Sequence, residues 1–410
     1  MAISRGSKSP GAATLVLLLA VTGCSTSGSS SSDPAPGAPD SSSAGLVAPR
    51  AERSAVPGTS HAPRRFRHPL PGMPPVIDRD VYARTRPGDL SPRVRGQPAL
   101  VYVPDSMPGG SSVTVISQRT RRVVRTLPAG LLSQHVVPSY DLRHLYTNSS
   151  VSNELVEIDP RTGRVAGRLP VPRPYNLYFT PDGRQAVVMV EEHDVIRFSD
   201  PETFHRRHDV RVPACRGPNH ADFSANGRFM VISCEFSGAL VKVSTLGHRV
   251  LGVLHLGPMS MPQDVRLSPD GDTFYVADVG TDEVRLIRAS RFRQVGRIAT
   301  PSDPHGLYPS RDGRRLYVSD RGAGKVSVVS FRSRRIVDTW TVPGGSPDMG
   351  GVSANGKVLW LSGRYDSEVY AFDTSNGRLL ARIPVPGSPH GLSVWPQPGR
   401  YSLGHTGNMR

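Results

Sequence analysis

One short phrase recurs along this chain and constrains its fold more than any other feature. Most copies carry a Ser or Thr followed by an Asp-Gly or Asn-Gly pair, as in "TPDG" (180–183) and "SPDG" (268–271). The copies are separated by 41, 44, 44, 42 and 43 residues, counted between Ser139, Thr180, Ser224, Ser268, Ser310 and Ser353. A period of about 40–45 residues with strand-like content is typical of a β-propeller, in which each repeat forms one four-stranded blade.

The residues around each phrase supply the strands of such a blade. Asp-Gly and Asn-Gly pairs turn the chain sharply, and runs such as "RFMVIS" (228–233) and "ALVKVS" (239–244) follow. The first unit lacks its leading strand, which "SPHGLSVWP" (388–396) supplies. We predict an all-β, seven-bladed propeller over residues 97–396, closed by N- and C-terminal strands that share one blade. Six or eight blades remain alternatives if the C-terminal tail, residues 397–410, forms strands of its own.

Two segments identify a family by resemblance. The run "HLYTNSSVSNELVEIDPRTGRVAGRLPV" (144–171) resembles the YVTN β-propeller repeat, as does "RLYVSDRGAGKVSVV" (315–329). This family is similar to surface-layer, YncE-like and cytochrome-d1-like propellers. Their members serve as binding scaffolds, lactonases, lyases and cofactor-bearing oxidoreductases. The resemblance therefore implies the fold and does not select an activity.

The N-terminus is typical of an export signal. Arg5 and Lys8 precede an apolar run at 12–21, which is shorter than the ~20 residues of a membrane span. The following "VTGC" (21–24) resembles the bacterial lipoprotein lipobox, which implies a signal peptide at 1–23 and a diacylglyceryl group (palmitate and similar acyl chains) on Cys24. We predict a disordered tether to residue 96 and anchoring at the outer face of the bacterial cytoplasmic membrane. A plain signal peptide with an incidental cysteine is the alternative.

The charge of the chain restricts its partners. Fifty Lys and Arg against 34 Asp and Glu give a formal net charge of +16. A basic surface attracts anionic cell-wall polymer or an acidic protein, although it is equally typical of a solvated arginine-rich face. The sequence contains no helix–turn–helix, zinc-finger or RNA-binding motif, so we expect no nucleic-acid partner. We expect a monomer.

The residues after the recurring proline begin the innermost strand of each blade. Innermost strands surround the central channel, and the next strand returns antiparallel to the same mouth. One mouth is therefore predicted to collect the candidate ligand-binding residues His135, Asn176, Glu191, His220, Glu235, Asp264, Asp278, His305, Asp320, Asp348 and His390. These residues either cap strand starts and hold water, or they bind a ligand.

The spacing of these residues assigns no metal, cofactor or catalytic group. Histidines and carboxylates suit a divalent cation or acid–base chemistry at an ester or strained ring, but no HExxH, paired CxxC or CxxCH motif is present. The cytochrome-d1-like resemblance implies a haem pocket in some relatives. Because this chain has no haem-c domain, we do not expect haem. The sequence also contains no G-x-S-x-G nucleophile motif, so no catalytic residue can be named.

Two cysteines remain after Cys24. Cys215 precedes one innermost strand and Cys234 ends the next strand, so both are predicted at the same end of one blade. An exported protein meets an oxidising compartment, and we predict a disulfide between them. A soft-metal site that includes His220 and a pair of free thiols are the alternatives.

Together these features predict a membrane-anchored lipoprotein whose propeller is a non-enzymatic scaffold for a ligand or protein. The first alternative is an enzyme with a lactonase-like or lyase-like site in the funnel, by which we mean the mouth of the channel that these candidate residues line. The second is a structural protein that holds cell-wall polymer.

Overall fold

The computed structural model describes residues 80–410 and contains seven four-stranded antiparallel sheets arranged as a propeller. The predicted number of blades and the predicted closure are both confirmed. The closing blade takes its innermost strand from the C-terminal end of the array and its other three strands from the N-terminal end. Its strands are β1 (Leu100–Pro104), β2 (Ser112–Ser117), β3 (Arg122–Pro128) and β28 (Ser393–Trp395).

The other six blades follow in chain order, and each begins with its innermost strand. Their strands are β4 (Ser133–Pro138), β5 (Leu145–Ser149), β6 (Glu154–Asp159), β7 (Arg164–Pro170), β8 (Asn176–Phe179), β9 (Ala186–Val190), β10 (Val195–Ser199), β11 (Arg206–Arg211), β12 (Pro218–Phe223), β13 (Phe229–Cys234), β14 (Ala239–Ser244), β15 (Val250–His255), β16 (Pro262–Leu267), β17 (Thr273–Asp278), β18 (Glu283–Arg288), β19 (Arg293–Ala299), β20 (Pro304–Pro309), β21 (Arg315–Asp320), β22 (Lys325–Ser330), β23 (Arg335–Thr341), β24 (Pro347–Val352), β25 (Val358–Gly363), β26 (Glu368–Asp373) and β27 (Leu379–Pro384). Single 3₁₀ turns at Glu191–His193 and Glu235–Ser237 follow β9 and β13.

The recurring phrase forms the turn between the first and second strands of each blade. The Thr180 hydroxyl donates to Asp182 Oδ1 (2.6 Å) and accepts the Gln185 N–H (3.1 Å), while Gly183 has a φ of 67°. The same Ser-to-Asp or Ser-to-Asn bond recurs at Ser139, Ser224, Ser268, Ser310 and Ser353. A left-handed residue favours glycine, which explains the Asp-Gly and Asn-Gly pairs.

Burial falls from the axis to the outside of each blade. The innermost strands are buried almost throughout, whereas outer strands such as β7 alternate between exposed and half-buried residues. The hydrophobic core therefore forms wedges between neighbouring blades, filled by large side chains such as Trp360, Phe274 and Phe223. Among the described residues, no helix is long and apolar enough to span a membrane.

A β-bulge recurs at the start of the innermost strands. In five blades the register between the first and second strands shifts over two residues, for example between Pro218 and Ala221 and between Pro304 and Leu307. A bulge leaves residues unpaired and re-aims their side chains. The residues in these bulges include the predicted candidates at the channel.

The tail and the segment before the propeller cover one mouth, which we call the sealed mouth. The tail donates from Gly399 N–H to Asp89 O (3.0 Å) and accepts at Leu403 O from Phe179 N–H (3.0 Å). On the N-terminal side, the Tyr82 hydroxyl donates to Leu267 O (2.7 Å). The tail makes no further blade, since β28 is the last strand.

The predicted tether boundary at residue 96 needs correction. Residues 80–96 lie against the sealed mouth, with Tyr82 and Val94 buried, because their apolar side chains cover core that the blade turns leave open. The predicted signal peptide, Cys24 and the tether up to residue 79 lie outside the described residues.

Candidate functional site

The bulges and strand starts place two stacked rings of side chains around the channel. The upper ring holds the first residue after each strand opening, which is Gln134, Tyr175, Asn219, Gln263, His305, Asp348 or His390. The lower ring holds the next residue, which is His135, Asn176, His220, Asp264, Gly306, Met349 or Gly391. The rings lie near the mouth opposite the tail, which we call the open mouth because Tyr175 and the loop residues Glu191, Glu235 and Arg364 are partly exposed there.

Five histidines from these rings and from the tail meet on the axis. The imidazole centroids of His135 and His220 are 5.5 Å apart, and that of His405 lies 5.4 and 5.0 Å from them. The rings of His305 and His390 are 5.3 Å apart, and His390 lies 4.8 Å from His135. All five histidines are at most 3% exposed.

The lower-ring residue affects the packing of the site even where it is a glycine. A Cβ added to Gly391 would lie 2.1 Å from His135 Cδ2. The glycine therefore leaves the space that the His135 imidazole occupies. This contact crosses from the closing blade to its neighbour, where His135 and Gly391 form an isolated parallel bridge.

Burial keeps most of the cluster neutral. It lowers the pKa of His135, His220 and His405 well below the usual histidine value, and neighbouring histidines lower it further. Burial also lowers the pKa of His390, to about 3. Neutral imidazoles each offer one nitrogen lone pair, which is the form that binds metals or accepts a proton.

Asp348 holds two of the histidines. Its carboxylate oxygens lie 3.0 Å from His305 Nδ1 and 2.6 Å from His390 Nδ1. Burial would raise the pKa of Asp348, but His305, His390 and Arg321 together hold it well below its usual range. The carboxylate therefore fixes the orientation of the His390 ring by a hydrogen bond, whereas its contact with His305 lacks hydrogen-bond geometry.

The other two polar positions of the lower ring are occupied by internal contacts. Asp264 lies 3.3 Å from Arg266 and accepts the N–H groups of Val265 and Leu307 (both 2.9 Å). Burial raises its pKa despite the adjacent guanidinium. Asn176 contacts the Nδ1 atoms of His220 (3.2 Å) and His405 (3.0 Å).

Two predicted carboxylates do not join the cluster. Asp278 accepts from Arg285 Nε (2.5 Å), from the Ser260 hydroxyl (2.6 Å) and from the Met261 N–H (2.8 Å). Asp320 accepts from the Ser327 hydroxyl (2.6 Å) on the neighbouring strand of its own blade. These hydrogen bonds connect parts of a single blade. The second strand of a blade ends beside the third strand of the same blade rather than on the channel axis.

The remaining two candidates, Glu191 and Glu235, form part of the rim of the open mouth. Glu235 accepts from Asn219 Nδ2 (2.8 Å), which links the rim to the upper ring. Burial raises the pKa of Glu191 well above its usual value, and the neighbouring Glu235 carboxylate raises it further. A raised pKa makes a carboxyl better suited to donate a proton.

Sequence reasoning missed two residues of this site. His405 lies in the tail, outside the repeats, and its backbone N–H donates to Leu177 O (2.8 Å). Arg321 lies beside Asp348 (3.4 Å) and Asp303 (2.9 Å). The only signal for His405 is its position between Gly404 and Gly407, which indicates a turn rather than a ligand.

The predicted disulfide is confirmed. Cys215 and Cys234 are bonded, with their Cα atoms 4.9 Å apart. The bond joins the loop before β12 to the end of β13, and therefore lies at the open mouth beside Glu235.

Comparison with known proteins agrees with this architecture. The model of the YncE-like β-propeller family matches residues 94–398. The chain belongs to this family. An uncharacterized YncE protein of Salmonella typhi is 23% identical over 242 residues, which are 53% of this chain and 65% of the relative. The chain thus spans somewhat less than two thirds of the length of that relative.

Solved structures share the fold at low sequence identity. A functionally unknown protein from Desulfotomaculum acetoxidans superposes with a TM-score of 0.62 at 14% identity, covering 72% of this chain and 98% of its own. A putative 6-phosphogluconolactonase from Bacteroides uniformis gives 0.58 at 18% identity, covering 72% and 99%. These likenesses establish the propeller fold and leave the activity to be argued from the site.

Proposed function

We propose that this protein is an exported, lipid-anchored binding scaffold that receives its ligand through the open mouth of the propeller. The observation that carries the proposal is the blind shape of the channel. One mouth is covered by the chain's own tail, and the other leads past a partly exposed rim to converging polar side chains. Concave sites with a few convergent polar groups are typical of small-molecule binding.

The chemistry of the rim indicates the class of ligand. Glu191 and Glu235 provide carboxyl groups, and Arg364 provides a guanidinium that contacts a backbone carbonyl, Ser388 O (3.4 Å). Tyr175 adds a hydroxyl and an aromatic face above the histidines. This combination suits a small polar ligand that carries an acidic group and several hydroxyls.

The binding proposal is tested with the full chain carrying Cys24→Ala, purified from the extracytoplasmic fraction. We expect native mass spectrometry to show an organic adduct that Glu191→Gln with Arg364→Gln removes. The matched control is Glu154→Gln with Arg168→Gln, an ion pair on the outside of a blade (2.5 Å). A bare wild-type chain, or an adduct that survives the rim variant, would contradict the proposal.

The anchoring proposal is supported by the lipobox-like "VTGC" and by the disulfide, which fits an oxidising compartment. We expect the wild-type chain in the membrane fraction and the Cys24→Ala chain in the soluble extracytoplasmic fraction. Ser27→Ala serves as the control. Equal distribution of the wild-type and Cys24→Ala chains would exclude the acyl anchor.

A second candidate function is acid–base catalysis at the same mouth. The observation that favours it is the raised pKa of Glu191 beside a second carboxyl, Glu235. We expect any lactone hydrolysis by the chain to be lost in Glu191→Gln. Binding of anionic cell-wall polymer to arginine-rich outer strands remains a third proposal, and it predicts binding that weakens steeply as salt rises.

A further inference from the structure

Three buried histidine nitrogens in the lower part of the funnel form no hydrogen bond, although the Asp264 carboxylate lies 3.7 Å from one of them, His405 Nε2. Among the described residues, nothing hydrogen-bonds to the Nε2 atoms of His135, His220 or His405, and all three side chains are at most about 1% exposed. A buried polar atom without a partner is costly, and most such atoms in folded proteins are satisfied. Three such atoms on neighbouring imidazole rings indicate that the site takes something that binds lone pairs.

The spacing of the rings fits one ion. One ring nitrogen from each of the three residues lies within 4.8 Å of the others. Metal–nitrogen distances are about 2.0–2.1 Å, so three nitrogens on one ion lie about 3.3–3.5 Å apart. Small side-chain rotations bring the rings to that spacing. Imidazole is a preferred ligand of zinc, copper, nickel and iron.

The hydrogen bond of His135 leaves the required nitrogen free. Its Nδ1 lies 3.0 Å from the carbonyl oxygen of Tyr175. A carbonyl only accepts, so Nδ1 carries the proton and Nε2 keeps its lone pair. Metal-binding histidines usually donate their other N–H to a carbonyl or carboxylate in this way.

The side chain of Asn176 can do the same for the other two rings. One atom of its amide lies 3.2 Å from His220 Nδ1 and 3.0 Å from His405 Nδ1. If that atom is the oxygen, it accepts both Nδ1–H protons and leaves both Nε2 lone pairs free. The oxygen and nitrogen of an amide exchange places on a half rotation of the side chain.

Some neighbours of Asn176 favour the amide oxygen at this position, and others favour the amide nitrogen. The Tyr178 hydroxyl accepts the Ala221 N–H (2.9 Å) and lies 3.2 Å from the same amide atom, so its own proton can go to an oxygen there. The rotation gives up a contact between the amide oxygen and the Leu177 N–H (2.9 Å) and one between the amide nitrogen and Asn219 O (3.4 Å). Metal binding has to offset that loss.

We propose that His135, His220 and His405 bind one transition-metal ion through their Nε2 atoms in the lower part of the funnel. His305 and His390 lie close to the proposed ion, since they form a second group with His220. The Asp348 carboxylate oxygens lie 3.0 and 2.6 Å from their Nδ1 atoms. They provide further ligands on the side that faces the open mouth. This inference rests on the proposed binding function and names a ligand for the same funnel.

The first experiment measures metal binding by the full Cys24→Ala chain after chelator treatment. We expect isothermal titration with Zn²⁺ to give one site per chain, and bound Cu²⁺ to show nitrogen hyperfine splitting in its electron paramagnetic resonance spectrum. Replacing one ligand, in His220→Gln or His405→Gln, is expected to weaken Zn²⁺ binding at least about 100-fold. His405→Gln leaves every blade intact, and thermal unfolding checks that each variant is folded.

The matched control is His248→Gln. His248 and His208 stack on the outside of a blade with their centroids 5.1 Å apart, so they offer an adventitious two-histidine site. We expect His248→Gln to leave the affinity unchanged. The proposal is overturned if the chelated wild-type chain shows no saturable binding, or if binding survives His220→Gln and disappears in His248→Gln.

A second variant tests the role of Asn176. Asn176→Asp places oxygens at both amide positions, so it can accept both Nδ1–H protons without a rotation. We expect tighter Zn²⁺ binding than in the wild type, whereas Asn176→Leu should weaken it about 10–100-fold. Weaker binding in Asn176→Asp would contradict the proposed proton arrangement. Failure of these tests leaves the organic adduct of the previous section unaffected, so the two proposals can fail separately.

Discussion

The two mouths of this propeller are built in different ways. The open mouth is lined by residues at equivalent positions of successive repeats, and many of its charged groups are partly exposed. The sealed mouth is covered by segments outside the repeats, and it contains a fully buried ion pair. There the carboxylate of Asp222 accepts from Arg410 Nη2 (2.9 and 3.1 Å) and from Asn408 Nδ2 (2.7 Å).

Because of this difference, we expect substitutions at the two mouths to differ in how much stability they remove. A buried ion pair costs much when one partner is removed, whereas a partly exposed group loses little. The sealed mouth therefore serves stability, and the open mouth is free to vary its chemistry. The predictions below test this division.

The largest effect is expected for Asp222→Ala. The change leaves the Arg410 guanidinium buried without its carboxylate, because both side chains are at most 1% exposed. We expect the free energy of unfolding, measured by denaturant titration, to fall by about 3–5 kcal/mol. In the control Asp272→Ala, whose carboxylate is 65% exposed opposite Arg288, we expect a loss of less than about 1 kcal/mol. Equal losses in the two variants would show that the tail does not stabilise the propeller.

The disulfide provides the next largest effect, at the open mouth. Cys215→Ala with Cys234→Ala opens a bond between residues 19 positions apart, for which chain entropy alone predicts a loss of about 3 kcal/mol. Reductant should destabilise the wild type by a similar amount and leave the double variant unchanged. We also expect the double variant to keep its Zn²⁺ affinity, since the bond lies above the histidine cluster. A large loss of affinity would mean that the rim positions the lower ring.

The upper and lower rings show how much of the site the sequence predicts. His135 and His220 occupy equivalent places in a repeat of known period, as do His305 and His390 one residue earlier, so their convergence follows from the propeller geometry alone. The same reasoning failed to separate Asp278 and Asp320 from the cluster. Both end the second strand of a blade, and the residues that bind them, Arg285 and Ser327, come from the adjacent third strand.

His405 could not be predicted, and the reason is physical. It lies in a single-copy tail, so no periodicity relates it to the axis, and its place depends on bonds with β8, which is more than 200 residues earlier in the chain. The docking of Tyr82 and Val94 depends equally on that closed surface. The repeat period predicts where residues of the blades lie. It does not predict which segments outside the repeats pack against the blades.

The third prediction concerns pH and the two similar carboxylates Asp278 and Asp320. Burial raises the pKa of Asp320 to about 8, since Ser327 is the only side chain that bonds to it among the described residues, whereas Asp278 is paired with Arg285. An unfolded aspartate titrates near pH 4, so the folded state holds a proton that the unfolded state releases. The contribution of Asp320 to the free energy of unfolding should therefore decrease as pH rises from about 4 to about 8. The buried neutral histidines contribute in the opposite direction below about pH 6.5, so the Asp320 contribution is read from the difference between the wild type and Asp320→Asn.

Asp320→Asn removes this decrease. We expect the variant to be more stable than the wild type by up to about 4–5 kcal/mol at pH 7–8, and no more stable near pH 4. Asp278→Asn, the control, should lose stability at neutral pH because it removes the carboxylate nearest to the buried Arg285 and leaves Glu283 as its acidic partner. Denaturant titrations at pH 4, 6 and 8 check both. If Asp320→Asn is destabilising at pH 8, the carboxyl is ionised there and the argument from burial is wrong.

The smallest effect on the free energy of unfolding is expected for a cation–π contact of a kind that occurs at both mouths. The Arg321 guanidinium lies 5.3 Å from the Tyr365 ring at the open mouth, and the Arg410 guanidinium lies 4.9 Å from the Tyr82 ring at the sealed mouth. Tyr365 is 68% exposed and Tyr82 is 4% exposed. We expect Tyr365→Ala to lower the free energy of unfolding by about 0.5–1 kcal/mol, the value of an exposed cation–π contact.

Tyr82→Ala should cost about 3–5 kcal/mol, because it also removes buried aromatic surface and the bond to Leu267 O. Denaturant titration of both variants measures the ratio of the two losses. A ratio near one would mean that burial does not distinguish the mouths. A large ratio, with an unchanged fold in Tyr365→Ala, would make Tyr365 a residue that can be varied to alter ligand entry without loss of the scaffold. The same aromatic contact would then support the fold at the sealed mouth and remain available to a ligand at the open one.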